Sequence, residues 1–460
     1  MKKLNQLLLL FAMIISITAC KNLEKPEPMG TGTNTLTASF TLVSSVNCKC
    51  PFEITFNDKS QNATSYEWDF GDNTPKSMEK NPVHCYSQAK TYTVKLKVSD
   101  GTKTAESTQN TTISPVSSFE KLYDLPYDYD VAQGVVPVSD GYVLLCTSTG
   151  KENNIFLMKV PLDGNWVSSP STLIPFTDLT DVNGVKIIQT SDKGFLVAGT
   201  SNFSGKSDIL LIKYDKDLKK IWHKTYDFGS NLETLTDVVE TSDSRYLIVG
   251  NSGANGIIAK IRPSDGELDL GRIVQFSGVS NLRFDAVSLI PNTNLYAVLC
   301  ADASSFPKKI FIKKFKIDLN ENDSNINLVN NISENSCKLM PYNGGFVIAG
   351  KETNFGWLTK ADGNGIESTT PVKVGSDKIY FASIAQTCDN NIIIAGYEKN
   401  EPYAFLTDSN FGLKQYYKPI GTIGGLYYSI VQALDGGYIA VGTANNKILV
   451  SKLDQNFKIQ

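Results

Sequence analysis

The chain has 460 residues, 41% hydrophobic and 20% charged, a balance ordinary for a folded protein and unlike that of a disordered one. Its formal charge is −3, and residues 1–19 hold Lys2, Lys3 and no acid, so that the remainder carries −5. Without a clustered basic surplus the electrostatic footprint of a nucleic-acid binder is missing, and nucleic acid is excluded as a partner.

Lys2 and Lys3 precede an apolar run at 7–17 that is too short to span a bilayer, the pattern of a secretory signal peptide over 1–19. Its end, Ile17, Thr18, Ala19 and Cys20, resembles the lipobox of bacterial lipoproteins, in which the cysteine becomes the lipidated first residue after cleavage. The resemblance implies lipidation of Cys20, a membrane partner engaged through the anchor alone, and residence in the cell envelope. The outer membrane is the expected site, with either of its faces open. Acyl chains at about 0.8 kcal/mol per buried methylene hold such an anchor without a transmembrane helix. Residues 20–34 carry Pro26, Pro28, Gly30 and Gly32 with few large apolar side chains, and read as an extended tether.

Residues 35–115 hold short alternating strands at 38–42, 52–56, 65–69 and 92–98, bounded by Asn, Asp, Gly or Pro. That spacing argues for an Ig-like β-sandwich. The run YEWDFGD at 66–72, Asn81-Pro82, TYTV at 91–94 and VSDG at 98–101 resemble the PKD domain family. Asn73 and Lys90 stand where glycine is common in that family, both at turns. The resemblance implies a spacer or interaction module without catalysis of its own. Trp68 alternates with Tyr66 and Phe70 and reads as core rather than as a stacking platform for sugar. Asp69 and Asp72 read as turn caps.

Of eight cysteines, seven remain once Cys20 is lipidated, so one at least stays unpaired within the chain. The expected disulfide joins Cys85 to Cys48 or Cys50, which an oxidising envelope permits. A bond between Cys337 and Cys388 has nothing to support it. Cys146 and Cys300 take the glycine position of two repeats and read as buried and inert. A metal site from Cys48, Cys50 and His84 lacks a second Cys pair, and no metal or cofactor is expected.

The remaining stretch, 117–460, is organised by a six-residue apolar strand that returns seven times and ends at 146, 199, 250, 300, 350, 396 and 442. Self-similarity at 46 to 53 residues marks a repeat architecture. A turn rich in Asp, Asn or Gly and another apolar strand precede each copy. A third strand follows, mostly closing on Lys before an Asp turn; a fourth is clearest at 221–226. Four antiparallel strands per repeat make a propeller blade. The seventh repeat stops at Gln460, before its fourth strand, while FEKLY at 119–123 stands alone and matches WHKTY at 222–226 as aromatic-x-Lys-x-Tyr. The expectation is therefore all-β: a PKD-like sandwich, then a seven-bladed β-propeller of four-stranded blades, closed by the N-terminal strand. The repeats resemble propeller-like repeats of secreted and envelope proteins with a DGGY-x-x-x-G signature, seen here at 435–442.

No catalytic residue is assigned. The two histidines, His84 and His223, lie in different domains, so a histidine triad or histidine metal pair is not spelled out. Glycine pairs at 344–345 and 436–437 lead into strands and make no phosphate loop. The expectation is non-catalytic binding of a glycan or an envelope protein. Its candidate face, formed by the loops between second and third strands and between blades, bears Phe203, Phe306, Phe355, Tyr380, Tyr397, Tyr403, Tyr427 and Tyr428. The alternative is a carbohydrate-active enzyme, a glycoside hydrolase or polysaccharide lyase, using carboxylates at the propeller channel.

Overall fold

The computed structural model describes residues 35–459 apart from 45–51, 87–89, 113–116, 126–128, 150–152, 170–171, 180, 204–205, 230–231, 291–292, 305–307, 321–326, 333–336, 352–354, 364–371, 375–378, 388 and 420–423. The signal segment, Cys20, the tether, Cys48, Cys50, Phe306 and Cys388 lie outside the described residues. Those residues contain strands and turns and no helix.

The first unit has two three-stranded sheets, Phe40–Ser44, Phe52–Asp58 and Val83–Tyr86 against Ser65–Asp69, Thr91–Ser99 and Thr104–Thr112. Thr91–Ser99 alternates exposed and buried side chains, and its inward residues Tyr92, Val94, Leu96 and Val98 meet Phe40, Phe56 and Trp68. Trp68 is fully buried, and its indole N–H donates to the Glu79 carbonyl at 2.9 Å, so it is a core residue. Asp69 accepts from Gly71 N at 3.0 Å and Asp72 from the Thr74 hydroxyl at 2.6 Å, both within their own turns. Asn73 holds φ +67°, a conformation Asn tolerates better than most residues, and this explains how it stands in for glycine.

The second unit is a β-propeller of seven four-stranded antiparallel sheets, numbered here as blades in chain order. The innermost strands are Tyr129–Val138, Val182–Gln189, Glu233–Glu240, Leu282–Leu289, Lys338–Tyr342, Ile379–Gln386 and Leu426–Gln432. Each touches the next and the seventh touches the first, so the ring closes around an axial channel. Each repeated apolar stretch is the second strand of its blade. Its two faces both pack against neighbouring blades, as in Tyr246–Ser252 and Tyr438–Ala444, where every residue is buried. This double burial is why the repeat reads as an unbroken apolar run.

Blade 7 consists of Leu426–Gln432, Tyr438–Ala444 and Lys447–Leu453, and its outer strand is Phe119–Tyr123. The pairing runs from Ile448↔Tyr123 to Lys452↔Phe119, so the N-terminal strand of the propeller supplies the last edge of its final blade. An apolar cluster of Phe119, Tyr142, Phe156, Ile439 and Val450 then seals blade 7 to blade 1.

Six inner strands shift register at one level, opposite the last residue of the repeated motif. Four of those motif residues are glycines, at 199, 250, 396 and 442, where a Cβ would collide with the inner-strand carbonyls of Asn183, Thr234, Tyr380 and Leu426. Cys146 and Cys300 take this place in blades 1 and 4 and are buried thiols, as is Cys337. The extra residue of each bulge re-aims the side chains that follow.

Candidate functional site

All seven inner strands line one cavity of about 700 Å³ that fills the propeller channel. The residues just after the bulges, Lys186, Asp237, Ala286, Ser383 and Ser429, border it, and Lys338 does so from the unbulged strand of blade 5. Asp237 is engaged on both oxygens: Oδ1 accepts from Lys186 Nζ at 2.5 Å and from Val238 N at 2.9 Å, and Oδ2 from Val287 N in the next blade at 2.9 Å. Ser383 repeats the reach to the next blade, accepting from Ile430 N at 3.2 Å. Asp285 lies 3.9 Å from Arg283 Nε. Asp237 thus serves as a fixed anion tying blades 2, 3 and 4 together. Sequence reasoning missed this layer, although the small residue ending each motif, glycine or cysteine, was its signal.

The Lys338 side chain is partly buried on the channel wall. Its desolvation there pushes the amine below the usual lysine range, Asp237 and Asp285 oppose the shift, and Lys186 adds to it.

At one mouth of the channel tyrosines gather. Tyr380 and Tyr397 stack at 4.9 Å between ring centroids, inclined by 21°. Tyr428 lines the channel beside them, and its hydroxyl is pushed up to about 12 by burial and by neighbouring Tyr129, Tyr397 and Tyr380. Tyr129, Tyr380 and Tyr428 lie in the first residues of inner strands and Tyr397 near the end of a second strand, so all four share one face. Phe355, between the second and third strands of blade 5, is half-buried, with Lys373 Nζ 4.0 Å from its ring centroid.

Two expected face residues belong elsewhere. Tyr403 is fully buried, stacks on Phe405 at 5.6 Å and donates to the Tyr380 carbonyl at 3.3 Å. Tyr427 is fully buried with its hydroxyl 2.5 Å from Ser451 Oγ, because the bulge sends Tyr428 to the channel and leaves Tyr427 between blades 6 and 7. Phe203 ends the second strand of blade 2 opposite Lys206.

The recurrent turn acids are consumed by structure. Lys213, Lys260 and Lys452, all buried on third strands, pair with Asp192 at 2.9 Å, Asp243 at 2.6 Å and Asp435 at 3.0 Å in the turns between first and second strands. Burial raises the Asp192 carboxyl, but bonds from Thr190, Lys213 and Gly194 N outweigh it and hold the group below its ordinary value.

His223 Nδ1 lies 3.2 Å from Asp178 in an outer strand, and His84 Nε2 lies 2.8 Å from Asp72 in the sandwich. Cys85 is disulfide-bonded, with its partner outside the described residues. Among the described residues the side chains best placed to hold a cation are Asp208, Asp227 and Glu233, whose oxygens lie within 4.8 Å of one another between blades 2 and 3.

Residues 35–115 match the PKD domain family. Over the propeller the chain is similar to virginiamycin B lyase from Staphylococcus aureus, solved as a catalytically inactive variant with quinupristin. That likeness has 11% identity and a TM-score of 0.51, covering 73% of this chain and 100% of that one. It is also similar to the Dos1 propeller, at 7% identity and a TM-score of 0.46 over 75% of this chain and 96% of that one. A quinonprotein alcohol dehydrogenase-like protein from Bacteroides thetaiotaomicron matches at 10% identity and a TM-score of 0.39, over 80% and 91% of the two chains. The first of these likenesses shows the fold alone: the chain joins a region that matches the PKD domain family to a β-propeller.

Proposed function

We propose that this protein is a cell-envelope lipoprotein, anchored in the outer membrane through Cys20, that displays its propeller for non-catalytic binding of a glycan, with the PKD domain as spacer. The observation that carries the binding reading is the cluster of Tyr380, Tyr397, Tyr428 and Tyr129 over the mouth of an open channel. Aromatic faces stack on sugar rings, and a cluster of them beside a cavity whose mostly apolar wall carries a few charged and hydroxyl side chains suits a saccharide better than a flat protein surface. Engagement of Asp237 by Lys186 and two backbone N–H groups speaks against its use as a general acid or base, and so against the hydrolase or lyase alternative.

A glycan array probed with the purified protein tests the binding reading, with product analysis of every glycan retained. Binding without turnover is expected; cleaved products mean an enzyme, and retention of an envelope protein with no glycan signal means a protein partner. Metabolic labelling with a fatty acid tests the anchor: label should enter the wild type and be lost in Cys20→Ser.

A further inference from the structure

We propose that the centre of the channel is a subsite for a carboxylated sugar, whose carboxylate is received by the ammonium of Lys338. The proposal rests on the carbohydrate reading above and adds a substrate class to it.

Four charged side chains border the cavity: Lys186, Asp237, Asp285 and Lys338. Three are engaged. Lys186 and Asp237 pair at 2.5 Å, Asp237 takes backbone N–H groups as well, and Asp285 stands beside Arg283. Lys338 differs, for among the described residues its Nζ makes no hydrogen bond or ion pair. An ammonium has three donors and no acceptor capacity, so a cation on the channel wall with no hydrogen-bond or ion-pair partner among the described residues is best met by an anion from outside.

The surroundings favour a sugar as carrier of that anion. The cavity, about 700 Å³, lies in the size range of small-molecule sites, and Tyr380 and Tyr428 border it together with Lys338. Lys338 pairs with Ala349 and Ser383 with Ala395, each the residue before the glycine that ends its motif, so both occupy one layer of the ring. Tyr380 pairs with Tyr397, two residues beyond Ala395, which sets these two rings about 7 Å along the channel from the layer of Lys338, while Tyr428, the extra residue of the blade 7 bulge, stands next to that layer. A pyranose stacked at the mouth would bring the carboxylate of its neighbour to that layer.

A proton linkage follows from the same arrangement. Desolvation destabilises the Lys338 ammonium, with Lys186 adding to this and Asp237 and Asp285 opposing it. An incoming carboxylate restores the charged form, so binding takes up a proton and tightens as pH falls towards the depressed value of the free amine. Tyr428 also faces the site, and burial pushes its hydroxyl up to about 12, so it stays protonated in this range.

The test is calorimetric titration of the purified full-length protein with oligogalacturonate, oligoglucuronate and sialyl-lactose, each against its neutral counterpart, and with sulfate and phosphate as sugar-free anions. At least one acidic sugar should bind on the order of tenfold tighter than its neutral partner. Lys338→Gln should erase that difference and its pH dependence, while Lys338→Arg keeps the preference; melting curves of both variants confirm that they fold. Persistence of the preference in Lys338→Gln overturns the proposal, as does displacement of the acidic sugar by sulfate or phosphate at equal concentration. Equal binding of acidic and neutral sugars overturns this proposal alone. No binding of any sugar overturns the carbohydrate reading and takes this inference with it.

Discussion

Tyr123 donates its hydroxyl to the carbonyl oxygen of Gly164 at 2.8 Å, and Tyr226, in the outer strand of blade 2, makes the same bond to Gly266 at 2.7 Å. Both glycines hold φ +72°, and Phe119 and Trp222 lie so close over them that a Cβ on either would strike the ring. The aromatic-x-Lys-x-Tyr motif is therefore a docking device. Its aromatic covers the turn of the following blade and its tyrosine bonds that turn's carbonyl, whether that blade follows in sequence or, for Phe119–Tyr123, around the closure.

Equal contacts should carry equal weight. Tyr123→Phe and Tyr226→Phe are each expected to destabilise the propeller by about 1 kcal/mol, the usual net value of one such bond. Phe119→Ala should cost about 3 kcal/mol, because it empties part of the cluster that seals the ring. Urea unfolding followed by tryptophan fluorescence measures all three. Should Tyr123→Phe and Phe119→Ala leave the midpoint unchanged, the closure would be ornamental.

The buried lysine and turn aspartate of blades 2, 3 and 7 form a second device, with an asymmetry to exploit. Lys213 is 1% exposed in its side chain whereas Asp192 is 58% exposed. Removing the acid leaves the buried ammonium without its counter-charge, held only by the Thr190 hydroxyl and the Tyr214 carbonyl, so Asp192→Ala should cost about 3 kcal/mol, while Asp192→Ala with Lys213→Met recovers much of the loss. Additive penalties in the double variant would refute the pairing. The pH dependence has a definite sign. The folded Asp192 carboxyl lies below its ordinary value, so its contribution is complete above about pH 4 and fades as the pH drops from there towards the depressed value. Wild-type stability should fall in that acid window more steeply than that of the double variant.

How much of this was legible beforehand depended on where burial writes a pattern. The second strands were plain because burial on both faces makes them apolar throughout. Outer strands such as Leu268–Val274 and Leu413–Tyr417 are largely exposed, and those of blades 1 and 5 are three residues long, so they carried almost no period to read. The closure was legible through one motif written twice. The channel residues were not, because a bulge shifts the alternation by one: Tyr427 and Tyr428 cannot be sorted into core and channel until the position opposite Gly442 is known to hold an extra residue.

Cys85 offers a test within the sandwich. Cys85 is disulfide-bonded, and a bond to either expected partner, Cys48 or Cys50, would close a loop containing Phe56, Trp68 and Phe70 of the core. Cys85→Ser should therefore lower sandwich stability by about 3 kcal/mol. Peptide mapping without reduction will show which partner is used. Recovery of Cys85 as an alkylatable thiol in protein made in an oxidising compartment would contradict the bond.

The bulge at the start of blade 7 separates two adjacent tyrosines into opposite roles, which yields the sharpest test of the ligand face. Tyr428 borders the channel, while Tyr427 is fully buried against Ser451. Tyr428→Ala removes a stacking ring without opening the inter-blade core, and should weaken glycan affinity about tenfold with little change in melting temperature, since stacking on one aromatic is worth on the order of 1 kcal/mol. Tyr427→Phe keeps the ring but leaves Ser451 without its neighbour, and should cost about 1 kcal/mol of stability with affinity unchanged. Tyr397→Ala belongs with Tyr428, since its ring supports Tyr380 from one side. The two readouts must separate in this way for the mouth to be the binding face: a Tyr428→Ala protein that binds as the wild type does would move the ligand to another surface of the propeller, whatever the stability of Tyr427→Phe.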